Sequence, residues 1–549
     1  MQVLSRFNQS GFGLRPWMLT LAVSVLLVAV YNVAFWQHLV KAAGGLAPGN
    51  LPLYLATFVI LVLLLNAALT LLAFRPVLKP LLIVLLCLTS LASYFMNHYG
   101  VVIDAAMMQN VFETDPREAS ELFSGKLVMT FLLLGLLPAL LVWRVPLRYA
   151  TFRREALCRG SALGVSLVIA VALVLVFCKT FAPTFREHRE LRFLLTPLNY
   201  IQATNSFVKR KLSRPLVVAP LGTDAVRGPL WAAATPRRTV MVIVLGETAR
   251  AMNFSLNGYA RQTNPELARQ EGLINFREVY SCGTATAVSV PCVFSALGRA
   301  DYSESRAKSQ QGLLDVLSHA GMDVLWRDNN SGCKGACDRV RFEDFSTAAA
   351  GDTFCVNGEC YDERMLDKLP EIIRSTPRDM VIVLHQKGSH GPAYAKRYPA
   401  AYGRFGPVCE TNDLAKCSTD AIVAAYDNTI LYTDHFVSRT IDMLRTSEGV
   451  DTALMYFSDH GESLGENNMY LHGAPYMIAP VEQRHVPFML WMSRSFGERY
   501  QIDRKCLAAR SGQTFSHDNV FHTVLGMLNV QTAVYSPSLD MVHACRHAA

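Results

Sequence analysis

Long apolar runs dominate the first third of the chain. Five of them approach the ~20 residues that a helix needs to cross the hydrocarbon core of a bilayer. They cover residues 17–36, 51–74, 77–96, 127–143 and 161–178. The first run is too long and too poorly flanked for a cleaved signal peptide, and four more follow it. The pattern predicts five transmembrane helices, with the two ends of the chain on opposite sides of the membrane.

Beyond about residue 230 the pattern changes to short, β-rich apolar runs separated by helical periodicity. Alternating strands and helices are typical of an α/β sandwich with a mostly parallel sheet. The strand-like runs cover residues 239–245, 273–279, 323–326, 380–384, 452–457 and 486–491, and the helical patterns cover 311–320, 361–374 and 421–444.

The segment between these two halves mixes basic and apolar residues over 184–211, which is typical of an amphipathic segment at the outer membrane–water boundary. Residues 212–236 are rich in Pro, Gly and Ala and suit a linker. We therefore predict a transmembrane domain over 1–180, a bridging segment and linker over 181–236, and a globular α/β domain over 237–549.

Charge refines the picture of the membrane half. Nine Lys and Arg residues lie in the N-terminus and the second and fourth loops, against three in the first and third loops. The positive-inside rule then places the N-terminus in the cytoplasm and the large C-terminal part outside. The net charge of +8 is explained by these loops, and no basic patch interleaved with aromatic residues accompanies it. We expect no nucleic-acid partner.

The 13 cysteines indicate an oxidising compartment. Three belong to the membrane half, and Cys506 and Cys545 can pair with each other or stay free. A zinc ribbon would need two CxxC knuckles, which the chain lacks. The remaining eight fall into four close pairs, which an exported domain would form as local disulfides: Cys282 with Cys292, Cys333 with Cys337, Cys355 with Cys360, and Cys409 with Cys417.

Carboxylates and imidazoles follow three of the predicted strands. Because open α/β sheets bind ligands beyond the carboxyl ends of their strands, these side chains are candidates for one site. Their chemistry suits zinc or, less specifically, manganese. Each residue alone is more often a cap or a packed histidine. The residues are Glu247, His385, His390, Asp459 and His460, with His472 shortly after the last.

Thr286 is the candidate nucleophile. It precedes an apolar run that begins like a helix, and a helix N-terminus favours negative charge. A threonine at such a place is commonly only a cap. If Glu247, Asp459 and His460 bind a metal, however, Thr286 can fill the open position, and the metal would lower the pKa of its hydroxyl.

At three motifs the chain resembles the lipid A phosphoethanolamine transferases, the family of the mobile colistin-resistance enzymes in the alkaline phosphatase superfamily. The motifs are Ser-Cys-Gly-Thr-Ala-Thr-Ala-Val-Ser-Val-Pro-Cys at 281–292, Gly-Glu-Thr-Ala-Arg at 246–250 and Ser-Asp-His-Gly-Glu-Ser at 458–463. The resemblance covers nearly the whole chain. It implies five transmembrane helices followed by an alkaline phosphatase/sulfatase-like α/β sandwich in the periplasm.

The resemblance also implies roles for single residues. Thr286 would be the nucleophile, and Glu247, Asp459 and His460 would complete a site for one or two zinc ions. His390 and His472 would lie near the transferred phosphate or a second zinc. Two further groups would contact substrate: a disulfide-held loop with Asn330, Ser331 and Lys334, and the ethanolamine-binding residues Asn110, Thr114 and Glu118 of the outer loop. The spacing of the latter three alone favours a solvated surface helix, and only the resemblance reverses that preference.

The implied reaction moves phosphoethanolamine from phosphatidylethanolamine to a phosphate of lipid A through a phosphothreonine. This modification would lower the affinity of lipopolysaccharide for cationic peptides such as polymyxin. We expect a monomer in the Gram-negative inner membrane.

The nearest alternatives are transfer to a core sugar of lipopolysaccharide and phosphoglycerol transfer. A sulfatase would need a C/S-x-P-x-R motif, which the Thr286 segment lacks. The non-enzymatic alternative is a membrane-anchored zinc-binding sensor.

Overall fold

The computed structural model describes residues 13–113, 120, 122–177, 181, 189–212, 217–232, 237–348, 352–356, 359–411 and 414–546. The chain divides into two compact units. One comprises Met1–Met108 with Phe123–Ser206, and the other comprises Gln109–Leu122 with Phe207–Ala549. The segment between the third and fourth predicted transmembrane runs thus contributes to the second unit, which the sequence pattern did not indicate.

Helices form nearly all of the first unit. Four of them are long and apolar enough to cross a membrane, and a bent pair makes a fifth if it is one broken span. Among the described residues, the first eight helices are α1 (Pro16–Tyr31), α2 (Val33–Ala42), α3 (Pro48–Leu71), α4 (Leu78–Tyr99), α5 (Ala105–Glu113), α6 (Gly125–Arg144), α7 (Phe152–Val176) and α8 (Leu198–Leu212).

The first predicted span differs from the structure, because α1 and α2 meet at an angle of 63°. Asn32 lies at the break. Its Nδ2 donates to Leu27 O at 2.9 Å and to Thr196 O at 3.0 Å, and its Oδ1 accepts from the Thr196 backbone N–H at 2.8 Å. A side chain inserted into the helical hydrogen-bond ladder is a common cause of such a bend.

The second unit is an α/β sandwich around an eight-stranded sheet of order β13-β3-β12-β9-β2-β8-β4-β5. All neighbouring pairs are parallel except those that β12 makes with β3 and β9. The strands in chain order are β1 (Val226–Arg227), β2 (Arg238–Gly246), β3 (Ile274–Tyr280), β4 (Asp323–Asp328), β5 (Arg341–Asp344), β6 (Cys355–Val356), β7 (Glu359–Cys360), β8 (Met380–His385), β9 (Val450–Ser458), β10 (Ser463–Leu464), β11 (Tyr470–Leu471), β12 (His485–Met492), β13 (Thr514–Ser516) and β14 (Val530–Gln531).

Helices cover both faces of this sheet, and alternate residues of each central strand belong to separate cores. In β2, for example, Met241 and Ile243 belong to the hydrophobic core on one face of the sheet, whereas Val242 and Val244 belong to the core on the other face. The helices of this unit are α9 (Thr286–Val293), α10 (Gly298–Asp301), α11 (Glu304–Lys308), α12 (Leu313–His319), α13 (Leu369–Ser375), α14 (Thr419–Arg445), α15 (Arg494–Arg499), α16 (Arg504–Ala509) and α17 (Asp518–Met527).

Five disulfides stabilise the second unit. One joins Cys506 to Cys545 across 39 residues, which resolves the alternative that the sequence left open. Cys87 and Cys158 of the first unit are free thiols, and the predicted membrane cysteine Cys178 lies outside the described residues. The other four disulfides are the predicted local pairs: Cys282 with Cys292, Cys333 with Cys337, Cys355 with Cys360, and Cys409 with Cys417.

Candidate active site

Two parallel neighbours bring the acidic residues of the site together. Strands β2 and β9 run side by side with Gly246 opposite Ser458. Glu247 and Asp459 are the next residue of each strand, so both carboxylates leave the sheet at adjacent points of its carboxyl edge. His460 follows directly. These three residues, which we call the triad, are almost completely buried.

Thr286 enters this cluster as the first residue of α9. Ala285 before it is extended, and its carbonyl accepts from Val288 N at 3.0 Å and Ser289 N at 2.8 Å, which begins the helix. The Thr286 hydroxyl oxygen lies 3.1 Å from both carboxylate oxygens of Glu247 and 3.3 Å from His460 Nε2. Since its side chain keeps 9% of its exposure while Asp459 and His460 keep none, the threonine is the accessible edge of the cluster.

The triad has the geometry of a metal site. One ligand atom from each residue lies within 4.8 Å of the others. Asp459 Oδ2 is buried and makes no hydrogen bond within the described part of the chain, which would be costly without a cation. His460 Nδ1 lies 2.8 Å from the Gly461 carbonyl, so this nitrogen carries a proton and Nε2 is the nitrogen that faces the carboxylates and Thr286.

The pKa values of the triad reflect how closely these charges are packed. Burial and the charge of Glu247 raise the pKa of Asp459 to about 6. Burial alone would also raise the pKa of Glu247, but the hydrogen bond and charge of His460 outweigh it and lower that pKa. Burial would lower the pKa of His460, yet Asp459 and Glu247 raise it to about 9. Two carboxylates in this space favour a positive charge between them.

Asn330 supports the triad from the side. Its Nδ2 donates to Glu247 Oε2 at 2.7 Å and to the Gln386 carbonyl at 3.0 Å. Asn330, which the sequence predicts to contact substrate, therefore contacts a carboxylate of the triad. The neighbouring Lys334 and Ser331 lie on the same disulfide-held loop, where Lys334 Nζ donates to the carbonyl and the hydroxyl of Ser331, both at 3.0 Å.

A second carboxylate–imidazole group lies at the next strand ends. Asp328 ends β4, His385 ends β8, and His385 Nδ1 is 2.8 Å from Asp328 Oδ2. Trp326 Nε1 donates to the same oxygen at 2.7 Å, and the backbone N–H groups of Asn330 and Gly332 donate to Oδ1 at 2.9 and 3.0 Å. We call these two residues the Asp328–His385 pair. Every oxygen of this carboxylate therefore has a partner.

The two further predicted histidines stand beside the triad. The His472 ring lies 4.5 Å from the His460 ring and 5.4 Å from the His390 ring, measured between centroids. Glu462, which the sequence analysis did not single out as a site residue, holds His472 through a contact of 3.3 Å to its Nδ1. The structure thus brings His390 and His472 into the neighbourhood of Thr286 that the motifs predicted.

The outer-loop residues are described only in part. Asn110 lies in α5, whose Gln109 donates to Glu304 Oε1 at 2.9 Å inside the second unit. Thr114 and Glu118 lie outside the described residues, so the ethanolamine-binding group stays a prediction.

The sequence pattern did not predict three residues that support the site: Asp328, Glu462 and His517. Asp328 carried a usable signal, because it ends a strand as Asp459 follows one. His517 carried none, since its role depends on distant backbone. Burial lowers its pKa to about 3, so the ring is neutral, accepting from Cys282 N at 3.2 Å and donating to Ser458 O at 3.0 Å. It thereby joins the loop before α9 to the end of β9.

Comparisons with known sequences agree with this architecture. The profile of the family described as Phosphoethanolamine transferase EptA/EptB matches residues 61–212, and that of Sulfatase matches residues 239–530. The chain is 40% identical over 539 residues to phosphoethanolamine transferase EptA of Escherichia coli (strain K12), which covers 97% of this chain and 98% of that protein. It is 38% identical over 528 residues to phosphatidylethanolamine transferase Mcr-1 of Escherichia coli, covering 94% and 95%.

A solved structure extends the similarity to three dimensions. The integral membrane protein lipooligosaccharide phosphoethanolamine transferase A (EptA) from Neisseria meningitidis superposes with a TM-score of 0.92 at 36% sequence identity. The match covers 97% of this chain and 99% of that one. Similarity of this extent includes both the helical unit and the α/β unit.

Proposed function

Because the chain belongs to the phosphoethanolamine transferase family, we propose that it transfers phosphoethanolamine from phosphatidylethanolamine to a phosphate of lipid A. The observation that carries this proposal is the Thr286 hydroxyl at the start of α9, 3.1 Å from both oxygens of Glu247, in a residue that keeps 9% of its surface exposed. A nucleophile that carries a phosphoryl group needs such a place, next to a base and beside helical N–H groups.

The residues present fit a zinc ion. Glu247, Asp459 and His460 are an oxygen and nitrogen donor set typical of catalytic zinc, and the unpartnered Asp459 Oδ2 faces the gap among them. Thr286 Oγ1 is the fourth donor. Zinc bound there would act as a Lewis acid, lowering the pKa of the threonine hydroxyl and offsetting charge on the transferred phosphate. A second zinc would lie near His390 and His472.

In the first half of the reaction, Thr286 Oγ1 attacks the phosphorus of the donor lipid. An O–P bond to threonine forms, and the P–O bond to diacylglycerol breaks. Glu247 already accepts a hydrogen bond from this hydroxyl and is placed to take its proton. The departing diacylglycerol oxygen gains a proton from His472 or His390, so the half-reaction leaves neutral diacylglycerol and phosphoethanolamine on Thr286.

In the second half, a phosphate oxygen of lipid A attacks the same phosphorus. The O–P bond to Thr286 breaks, and the threonine oxygen takes back the proton that Glu247 accepted, while the proton of the acceptor phosphate passes to the histidine that protonated diacylglycerol. Lys334 would contact the transferred phosphoryl oxygens as a point charge, while Asn330 orients Glu247. Asn110, Thr114 and Glu118 would bind the ethanolamine group, and Ser331 would position Lys334.

Location in the membrane completes the proposal. The four or five candidate spans support a multi-pass membrane protein whose lipid substrates share its bilayer. We assign residues 1–180 to the membrane domain, 181–236 to the bridging segment and 237–549 to a periplasmic catalytic domain, with the N-terminus in the cytoplasm. The five disulfides support an oxidising compartment for the catalytic domain. The added amine would weaken binding of cationic peptides such as polymyxin.

The test uses purified full-length protein, labelled phosphatidylethanolamine and intact-mass analysis. Wild type should gain the mass of one phosphoethanolamine group and pass it to lipid A. Thr286→Ala should do neither, whereas Thr286→Ser should retain part of both because it keeps the hydroxyl. An adduct of the same mass on the alanine variant would overturn the assignment of the nucleophile.

The acceptor needs a separate measurement. Mass spectrometry of lipopolysaccharide from cells producing the protein should place the added group on lipid A and not on the core oligosaccharide. Modification of the core alone would instead favour the core-sugar transferase, with the same first half-reaction.

A further inference from the structure

Two arginines near the loop that precedes Thr286 have no carboxylate partner among the described residues. Arg299 of α10 and Arg484, just before β12, both lie against the ring of Tyr476, with the guanidinium carbons 4.0 and 5.4 Å from its centroid. Neither guanidinium forms an ion pair with a carboxylate anywhere in the described ranges, and Arg484 Nε is buried with no hydrogen-bond partner there. The nearby Asp518 accepts from the Arg299 backbone N–H at 2.7 Å, not from the side chain.

Three other arginines of this domain with buried side chains are paired with a carboxylate. Arg250 contacts Glu466 at 2.7 Å, Arg327 contacts Glu343 at 2.9 Å and Arg499 contacts Asp451 at 3.1 Å. A half-buried guanidinium without an anion costs solvation free energy, and burial lowers the pKa of Arg299 accordingly. An anionic ligand held between the two arginines would repay that cost.

This arginine pair is tied to the nucleophile segment by several hydrogen bonds. The Tyr476 hydroxyl donates to Ser281 O at 2.9 Å, and Ser281 N donates to Arg484 O at 2.8 Å. Just before Tyr476, Gly473 N donates to Thr284 O at 2.7 Å and the Thr284 hydroxyl donates to Ala474 O at 2.6 Å. The two guanidinium groups are therefore positioned relative to the loop that delivers Thr286.

We propose that Arg299 and Arg484, spaced by the Tyr476 ring, form the subsite for the acceptor's phosphate group. This inference rests on the proposed transfer reaction. The donor's phosphorus must lie at Thr286 itself, and the diacylglycerol that leaves carries no charge. The acceptor brings a second phosphate, and planar guanidinium groups bind phosphate oxygens in pairs. The subsite would thus act only in the second half of the reaction.

The two half-reactions provide the test. Full-length protein in a neutral detergent is first given phosphatidylethanolamine alone, and formation of the threonine adduct is timed by intact mass. Lipid A is then added over a range of concentrations, and decay of the adduct is followed. In Arg299→Ala, Arg484→Ala and the double variant, adduct formation should stay within about twofold of wild type. The kcat/KM for lipid A should fall by about 10- to 100-fold for each single variant, because a charge-assisted contact is lost.

Two controls define the interpretation. Arg494→Ala removes an exposed arginine that is already paired with Glu498 at 2.6 Å, and it should leave both half-reactions unchanged. Arg299→Lys and Arg484→Lys keep the charge without the planar fork and should lie between wild type and alanine. Normal adduct formation also serves as the check that each variant is folded.

Other results would contradict the proposed phosphate subsite. If the alanine variants slow both half-reactions by the same factor, the arginines serve the donor or the fold, and the inference is wrong. If they slow neither, the pair binds no reactant. A wild type that never forms the adduct would overturn the proposed function, and this subsite with it, whereas a normal adduct with unchanged acceptor kinetics would overturn the subsite alone.

Discussion

The triad and the Asp328–His385 pair have almost the same composition but opposite states. Both combine aspartate with histidine, and both lie at carboxyl ends of strands in one sheet. In the pair, both Asp328 oxygens accept hydrogen bonds from fixed neighbours. In the triad, Asp459 Oδ2 accepts no hydrogen bond from the described residues, although it is completely buried and lies 3.4 Å from His460 Nε2.

The hydrogen bonding of the two aspartates distinguishes a candidate binding site from a structural network. A buried carboxylate that is already saturated by N–H donors has no lone pair left for a cation. A buried carboxylate with an oxygen that accepts no hydrogen bond, facing a second carboxylate and an imidazole nitrogen, is stabilised by a cation. Hydrogen-bond saturation therefore distinguishes the two groups where residue type does not.

Asp459→Asn should produce the largest effect. A metal Lewis acid contributes several kcal/mol to such a reaction, and each ~1.4 kcal/mol is tenfold in rate, so transfer should fall by about 1000-fold. Metal content, measured by plasma mass spectrometry, should fall with it. Because the folded state raises the pKa of Asp459 to about 6, ionisation at neutral pH destabilises the metal-free fold. With chelator, the variant should melt at or above wild type; retained metal and activity would contradict the triad assignment.

Asp328→Asn should behave differently. His385 Nε2 contacts Asn330, which in turn contacts the predicted ligand Glu247, so loss of the charge that orients His385 should reduce activity by about 10- to 100-fold, as for other residues that support a metal ligand indirectly. Breaking a buried ion pair costs about 3–5 kcal/mol, so the melting temperature should fall with and without chelator. A variant that melts like wild type in chelator would show that the pair is not a structural network.

Asn330→Ala tests the link between the two groups, since Asn330 Nδ2 contacts both Glu247 Oε2 at 2.7 Å and His385 Nε2 at 3.3 Å. We expect a loss of about tenfold in activity, at the low end for residues that support a metal ligand. Asn519→Ala, which removes the contacts of Asn519 with the Leu539 carbonyl and the Ser516 backbone N–H but none with the triad, is the control and should retain full activity. Equal losses of activity in both variants would mean that the contacts of Asn330 with Glu247 and His385 have no specific role in transfer.

The smallest effect concerns pH. Burial alone would raise the pKa of Asp328, but the charge and hydrogen bond of His385 lower this pKa below 3.8. Burial alone would lower the pKa of His385, but the charge and hydrogen bond of Asp328 raise this pKa above 6.5. The aspartate's contribution to stability is present above pH 3.8 and is lost on acidification through its lower folded pKa. The histidine's contribution is complete below pH 6.5 and is lost as pH rises through its higher folded pKa.

The difference in melting temperature between wild type and Asp328→Asn should therefore be greatest between pH 3.8 and 6.5 and should shrink on either side. Thermal melts of both proteins across this range measure it. A difference that grows steadily with pH would show that the two residues do not ionise as a pair.

Local pattern was sufficient for most of the fold. The predicted strands 239–245, 380–384 and 452–457 lie inside β2, β8 and β9, because buried parallel strands are continuous apolar runs. The short edge strands β5 and β13 escaped prediction, since their apolar signal is weak. The break at Asn32 also escaped, because it depends on a contact with Thr196 that lies far away along the chain.

Some residues of the site could likewise be predicted from local sequence, whereas others depend on the folded structure. Glu247, Asp459 and His460 stand directly after strands, so the sequence alone placed them at one edge. The Asp328–His385 pair needed knowledge of strand order, because β4 and β8 are neighbours only in the folded sheet. The open state of Asp459 Oδ2 is a property of packing in three dimensions, and no spacing along the chain encodes it.

The disulfide between Cys282 and Cys292 encloses the loop before α9 and most of that helix, with Thr286 between its ends. The hydroxyl of this candidate nucleophile is therefore placed by a covalent ring that only thiol oxidation can close. We expect maturation of this enzyme to depend on the oxidative folding machinery of the cell. A host in which that machinery is blocked would make the polypeptide at normal levels yet leave its lipids unmodified.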